Sequence, residues 1–131
     1  MPPAATMGDK VTASDIHIIM VPSPGGPVPT PTPHPFVGTI TSGCAMNVLI
    51  GGKPAATVGS IAMNLPPHIP QGGPFQIPPT NQGTIIRGSA TVLIGGKPAA
   101  RSGDTALTCN DPAPLPSGTV VGTAVTVMIG G

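Results

Sequence analysis

The sequence predicts a small all-β protein built from three hairpin repeats. Two observations support this prediction: glycine and proline supply 19 and 20 of the 131 residues, and one pattern occurs three times along the chain. Both residues disfavour helix interiors, so the composition argues against a helical bundle. Mean hydropathy is +0.31 and the formal net charge is only +1, unlike a disordered chain. We therefore expect one folded domain, residues 1–131, whose surface is partly covered by a partner.

The repeat predicts three equivalent structural units. The first copy, residues 38–60, reads GTITSGCAMNVLIGGKPAATVGS, and the second, residues 83–104, reads GTIIRGSATVLIGGKPAARSGD. The third copy is split between the chain ends, because GTVVGTAVTVMIGG at 118–131 continues as PPAATMGD at 2–9. We therefore expect the strand at 125–129 to lie beside residues 3–7 and to complete the third hairpin.

Each copy contains an apolar strand, a turn and a return strand. The apolar segments have compositions typical of strands; they are Val48, Leu49 and Ile50, then Val92, Leu93 and Ile94, then Val127, Met128 and Ile129. Gly51-Gly52 and Gly95-Gly96 fit a two-residue hairpin turn, which requires positive φ. Pro54 and Pro98 place the return strands at a sheet edge, because proline has no N–H to donate.

Three segments outside the repeats, 10–37, 61–82 and 105–117, are predicted as loops. The first is long and proline-rich, VPSPGGPVPTPTPHP, and we expect it to form an extended strap over the outside of the repeats. Residues 10–21 lack glycine and proline and are compatible with a short helix or a strand. The β-branched sequence DIHIIMV does not favour a helix strongly.

Histidine and cysteine occur at matching places in these loops. His17 and His68 each follow a repeat glycine by nine residues, and Cys109 follows one by six. Three-fold packing would bring them together, and His34 would supply a fourth ligand. Three histidines and one cysteine suit tetrahedral zinc, which would stabilise a domain with little core. Taken singly, a histidine in such a loop is more often a solvated surface residue, and a lone cysteine a small buried apolar one; the matching positions are what favour the metal site.

The composition argues against several other classes of protein. The basic residues are scattered and only two aromatic residues are present, so nucleic-acid binding is not expected. No stretch reaches the roughly 20 apolar residues of a membrane span. The N-terminus, MPPAATMGDK, lacks the basic and apolar regions of a Sec signal, so we expect synthesis in the cytoplasm. Two cysteines do not make a disulfide framework.

The repeat and the ligand-bearing loops together resemble the PAAR-repeat family. The resemblance lies in PPAATMGD near the start and in GSATVLIGGKPAARSGD at 88–104 with its copy at 43–60; Pro-Ala-Ala-Arg stands at 98–101. Thr57 and Ser60 depart from the pattern, which has Arg and Asp there. The resemblance implies a small three-fold cone that caps the trimeric β-helical spike of a type VI secretion system or related contractile injection machine.

The resemblance also implies ligands, partners and a location. It assigns a zinc ion near the apex to His17, His34, His68 and Cys109. It implies one tip per VgrG-like trimer, delivery outside the cell on the apparatus and transient contact with a target membrane. Any effector cargo would bind non-covalently. We expect the nine apolar residues of the repeat strands to form or border the docking face, with the histidine and cysteine loops pointing away.

Three functions are consistent with these residues. A non-enzymatic, metal-stabilised spike tip is the function we expect. A zinc hydrolase would need an open coordination position and a general base, but the chain has no glutamate and its nearest carboxylate is Asp15. A proline-rich adaptor would dock PTPTPHP onto an SH3-like groove.

Overall fold

The computed structural model describes residues 2–70, 72–111 and 113–130, and every regular element in these ranges is a β-strand. The strands are β1 Pro3–Ala4, β2 Lys10–Val21, β3 Val28–Ser42, β4 Ala45–Ile50, β5 Lys53–Ala55, β6 Ile61–Asn64, β7 Gln82–Ile85, β8 Leu93–Ile94, β9 Lys97–Pro98, β10 Thr105–Thr108, β11 Leu115–Val121 and β12 Ala124–Met128. The predicted all-β class is confirmed. This part of the chain contains no helix that could span a membrane.

Six strands close into an antiparallel barrel in the order β10-β11-β2-β3-β6-β7. The other six form three two-stranded hairpins, β4–β5, β8–β9 and β1–β12. The third hairpin joins the two ends of the chain, because Pro3 pairs with Met128 and Ala4 with Ala124. The predicted split repeat is therefore confirmed. The glycines of both predicted turns have positive φ, between 59° and 81°.

The return segments of the three hairpins form a closed ring of hydrogen bonds. The N–H of Ala5 donates to the carbonyl of Ala100, that of Ala100 to Ala56, and that of Ala56 to Ala5, each at 3.0 Å. These three alanines are equivalent in the repeat, so the ring establishes a three-fold pseudo-axis. Their methyl groups pack into the barrel core. The preceding alanine of each copy packs instead into a second core between the hairpins, which explains the Ala-Ala pair.

Each repeat ends in a turn closed by a polar side chain. Asp9, Ser60 and Asp104 each accept the backbone N–H of the residue three positions earlier, at 2.8, 3.0 and 2.7 Å. A hydroxyl thus replaces the carboxylate in the first copy. The departure from the repeat pattern at Ser60 therefore leaves the local geometry unchanged.

The proline-rich segment is not an external strap, and this prediction was wrong. Residues 10–21 and 28–42 form β2 and β3, which pair along their whole common length. The prolines of β3 stand opposite residues such as Ile16, Ile18 and Met20, whose N–H groups donate to Asn110, Asp111 and Pro74 instead of to β3. Proline therefore occupies positions where the ladder needs no donor.

The alternation along β2 and β3 also determines which side chains face inward. Phe36 on β3 is fully buried in the barrel, where it packs with the apolar side chains of the other strands. The repeat glycines leave room for this core: a Cβ on Gly38 would lie 2.6 Å from Phe36 Cε1, and one on Gly118 would lie 2.7 Å from Thr108 Cγ2. The glycine of each Gly-Thr pair is therefore required for packing in the barrel interior.

Candidate metal centre

The four predicted ligands come from four separate parts of the chain. His17 lies on β2 and His34 on β3, so the prediction that all of them lie in loops was wrong. His68 lies between β6 and β7, and Cys109 directly follows β10. All four are buried, with between 1% and 8% of their surface exposed. The two strand histidines point inward because buried and exposed side chains alternate along β2 and β3.

The structure brings these side chains into one cluster. The ring centroids of His17 and His68 are 4.9 Å apart, and His34 lies 5.6 Å from each of them. Cys109 Sγ is 3.6 Å from His17 Nε2. Asp15 joins the cluster, and ligand atoms of Asp15, His17, His68 and Cys109 all lie within 4.8 Å of one another. His34 stands beside this set, so its role as a ligand stays a prediction.

Contacts outside the cluster orient two of the rings. His17 Nδ1 lies 3.5 Å from Asp111 Oδ1, while the other oxygen of Asp111 accepts the N–H of Ile18 at 2.8 Å. His34 Nδ1 donates to the carbonyl of Thr32 at 2.9 Å. The Thr32 carbonyl holds the proton of His34 on Nδ1 and leaves its Nε2 free to bind a metal; the nearby Asp111 carboxylate favours the same tautomer of His17.

His68 has the opposite arrangement of protons. Asn64 accepts the N–H of Val37 at its oxygen, and its amide nitrogen donates to Asn81. That amide nitrogen also lies 3.2 Å from His68 Nδ1, which therefore accepts. The proton of His68 is thus on Nε2 and donates to Asp15 Oδ2 at 3.0 Å. A metal that binds at His68 Nε2 must displace this proton.

Two buried nitrogen atoms have no hydrogen-bond partner within the described ranges: His34 Nε2 and His17 Nδ1, whose contact with Asp111 is long for a hydrogen bond. Unpaired buried polar atoms are rare in folded proteins and call for an explanation. A lone pair on His34 Nε2 beside two further histidines and a thiol matches the donor chemistry of a zinc site. The residues present therefore fit a bound transition-metal ion.

The electrostatics of the metal-free cluster follow from its burial. Burial raises the pKa of the Cys109 thiol to about 11, and the Asp15 carboxylate adds to this rise. Burial lowers the pKa of His17 below its ordinary value near 6.5, although Asp111 opposes the change. At neutral pH the thiol is therefore protonated and His17 is neutral. The imidazole is ready to bind a metal, whereas the thiol must first lose its proton.

Several residues of the cluster were not identified as site residues from the sequence. Asp15 was considered only as a catalytic base, although it lies two residues before His17 and so shares its face of β2. Asp111 and Asn64 act through contacts between segments that are distant in sequence, and no local pattern indicates them. Spacing by two along a strand was the one signal that could have found Asp15.

The predicted docking residues divide into two groups. Leu49, Leu93 and Met128, which are equivalent in the repeat, are 61%, 62% and 47% exposed. Ile50 and Ile129 are buried in the core between the hairpins, and the other four predicted residues are partly buried against that core. Of each predicted set of three apolar residues, therefore, only the middle one is exposed. Whether these residues bind a partner stays a prediction.

Comparison with models of protein families identifies the family of this chain. The PAAR motif family model matches residues 20–109 and 76–131, so the matches extend over most of the chain. No curated protein matches the sequence. The matched ranges include three of the four predicted ligands, and also Leu49, Leu93 and Met128.

Proposed function

Because this chain belongs to the PAAR motif family, we propose that it is the non-enzymatic tip of a contractile injection machine, docked on a trimeric β-helical spike and stabilised by zinc. The observation that carries the proposal is the three-fold ring of hydrogen bonds between the hairpins. This ring gives a single chain approximate three-fold symmetry, which matches the three-fold symmetry of a homotrimer. On this proposal the protein leaves the cell on the apparatus and helps it to pierce a target membrane.

The exposed side chains of the hairpins support docking. Leu49, Leu93 and Met128 stand at the equivalent position of each copy, and exposed apolar groups arranged in this way are typical of an interface. A homotrimer presents three identical edges at its end. One chain with three similar hairpins can match all three edges without a symmetry mismatch. The expected stoichiometry is one tip per spike trimer.

The buried cluster supports a structural metal. We assign the ion to His17, His34, His68 and Cys109, which join β2, β3, the β6–β7 connection and the end of β10. A zinc ion bound there would tie together segments far apart in sequence, and its binding energy would add to the folding energy. A closed barrel with a metal clamp resists local opening, which suits a part that transmits force.

The metal assignment is tested by elemental analysis of the purified chain. We expect about one zinc per chain, and we expect Cys109→Ser and His17→Ala to lose most of it. Cys44→Ser is the matched control, because Cys44 is half-buried in the repeat and lies outside the cluster. Equal zinc content in Cys109→Ser and Cys44→Ser would show that the site is misassigned.

Docking is tested by assembly with a purified trimeric β-helical spike. We expect mass measurement to give one chain per spike trimer, and Leu49→Asp with Leu93→Asp to abolish the complex. Leu65→Asp is the matched control, because Leu65 is equally exposed, at 62%, but lies outside the hairpins. Binding by a folded hairpin double variant, or three chains per trimer, would contradict the proposed docking.

A further inference from the structure

We propose that the Asp15 carboxylate is itself a ligand of the metal ion. The inference rests on the metal site proposed above and adds an anionic oxygen, as a fifth donor, to the three nitrogen atoms and one sulfur atom assigned there. Asp15 lies on β2 directly opposite His34 in the β2–β3 register and two residues before His17. Its position on the inner face of the hairpin is therefore the same as that of the two strand histidines.

Asp15 is a fully buried acid, and its one ion-pair contact among the described residues is with the His68 ring, at 3.0 Å. Its side chain has 0% exposure, and among the described residues no lysine or arginine forms an ion pair or hydrogen bond with it. Oδ1 accepts the hydroxyl of Thr108 at 2.6 Å and a long contact from Asn110 at 3.5 Å. A buried carboxylate with only neutral donors is costly, and a bound cation removes that cost.

The other oxygen of Asp15 faces the proposed ligands. Oδ2 accepts from His68 Nε2–H at 3.0 Å and from Cys109 S–H at 3.4 Å. Both donors must lose these protons to bind a metal. Without a replacement, Oδ2 would then face an imidazole lone pair and a thiolate at the same short distances, and all three would repel one another. When a cation binds, the thiol proton leaves to solvent and the His68 proton moves to Nδ1, toward which Asn64 must then turn its amide oxygen. The cation then attracts all three ligand atoms.

The distances and the charges fit this exchange. Neighbouring ligand atoms bound at about 2.0–2.2 Å to one zinc ion lie about 3 Å apart in a five-coordinate site, close to the 3.0 Å between His68 Nε2 and Asp15 Oδ2. A divalent ion bound by one thiolate and one carboxylate is electrically neutral. The total charge would be the same with the carboxylate outside the coordination sphere, so it is the short distance between Asp15 Oδ2 and His68 Nε2 that favours direct binding.

The test uses Co²⁺ as a spectroscopic probe added to the metal-free full-length chain. We expect the wild-type complex to show a thiolate-to-cobalt charge-transfer band and visible d–d bands. Asp15→Asn should keep the charge-transfer band, shift the d–d bands and lower the affinity about 100-fold or more. Asp111→Asn is the matched control, because Asp111 touches His17 from outside the cluster. It should lower affinity about 10-fold without moving the bands, since outer contacts cost 10–100-fold.

Unshifted d–d bands in Asp15→Asn, with or without weaker binding, would overturn the inference, because the carboxylate would then act from outside the coordination sphere. Absence of the charge-transfer band in the wild type would instead contradict the proposed metal site. If Asp15→Asn does not fold, carbon NMR of the wild-type chain decides, since it has only four aspartates. The Asp15 carboxyl signal is assigned by elimination, from the spectra of the three variants in which another aspartate is replaced by asparagine. Addition of Zn²⁺ should shift this signal most. No shift of that signal would overturn the inference.

Discussion

Substitution of Gly38 by alanine tests whether the Gly-Thr glycine is a packing requirement. The new Cβ would lie 2.6 and 2.9 Å from two ring atoms of Phe36 and 3.0 Å from the Cβ of Ala62. Phe36 is fully buried among the apolar side chains of the core, so its ring can move only by displacing them. Overpacking of this kind costs about 1–3 kcal/mol, and reduced freedom of the unfolded chain returns only about 0.4–1 kcal/mol.

We therefore expect Gly38→Ala to lower the free energy of unfolding by about 1–2 kcal/mol, and Tm by about 3–8 °C. The assay is urea unfolding with chelator present, so that metal binding does not contribute. Gly25→Ala is the control, because a Cβ there meets nothing within 4 Å and its φ is not positive. It should change stability by less than about 0.5 kcal/mol.

The combination with Phe36→Leu identifies the cause. Removal of the ring should relieve the clash, so the double variant should be more stable than the sum of the two single effects predicts, by about 0.5 kcal/mol or more. Additive effects, or a Gly38→Ala variant as stable as the wild type, would refute the argument from the barrel interior.

Two further predictions concern pH and chain connectivity. Burial lowers the pKa of His17 in the folded state, so below pH 6.5 the metal-free fold binds fewer protons than the unfolded chain. The free energy of unfolding should therefore be highest above pH 6.5 and should decrease as the pH falls from there through the lowered pKa of the folded state. Urea unfolding at pH 7.5 and 5.5 should show this loss, and His17→Gln should reduce it; equal pH dependence in both proteins would contradict it. A chain joined between its paired ends and reopened at Gly95-Gly96 should still fold, because the third hairpin already pairs Pro3 with Met128. An unfolded circular dichroism spectrum of that permuted chain would contradict the equivalence of the hairpins.

The repeat made much of the fold predictable from the sequence. Its three copies indicated three hairpins, the Gly-Gly pairs indicated their turns, and the split copy indicated that the chain ends meet. These features depend on local backbone preferences and on internal similarity, both of which can be read along the chain. The same reasoning failed for residues 28–35, because a proline-rich segment looks like a loop until the positions of its prolines are compared with a partner strand.

For the metal cluster, the sequence by itself determined the ligand types and three matching positions, His17, His68 and Cys109. Only the tertiary structure decided that Asp15 enters the cluster, that Asn64 determines the tautomer of His68, and that Ile50 is buried while Leu49 is exposed. The reason is physical: these outcomes depend on contacts across sequence separations such as the 53 residues between Asp15 and His68. Local patterns specify which way a side chain points along its own strand, but only the closed barrel specifies what it meets there.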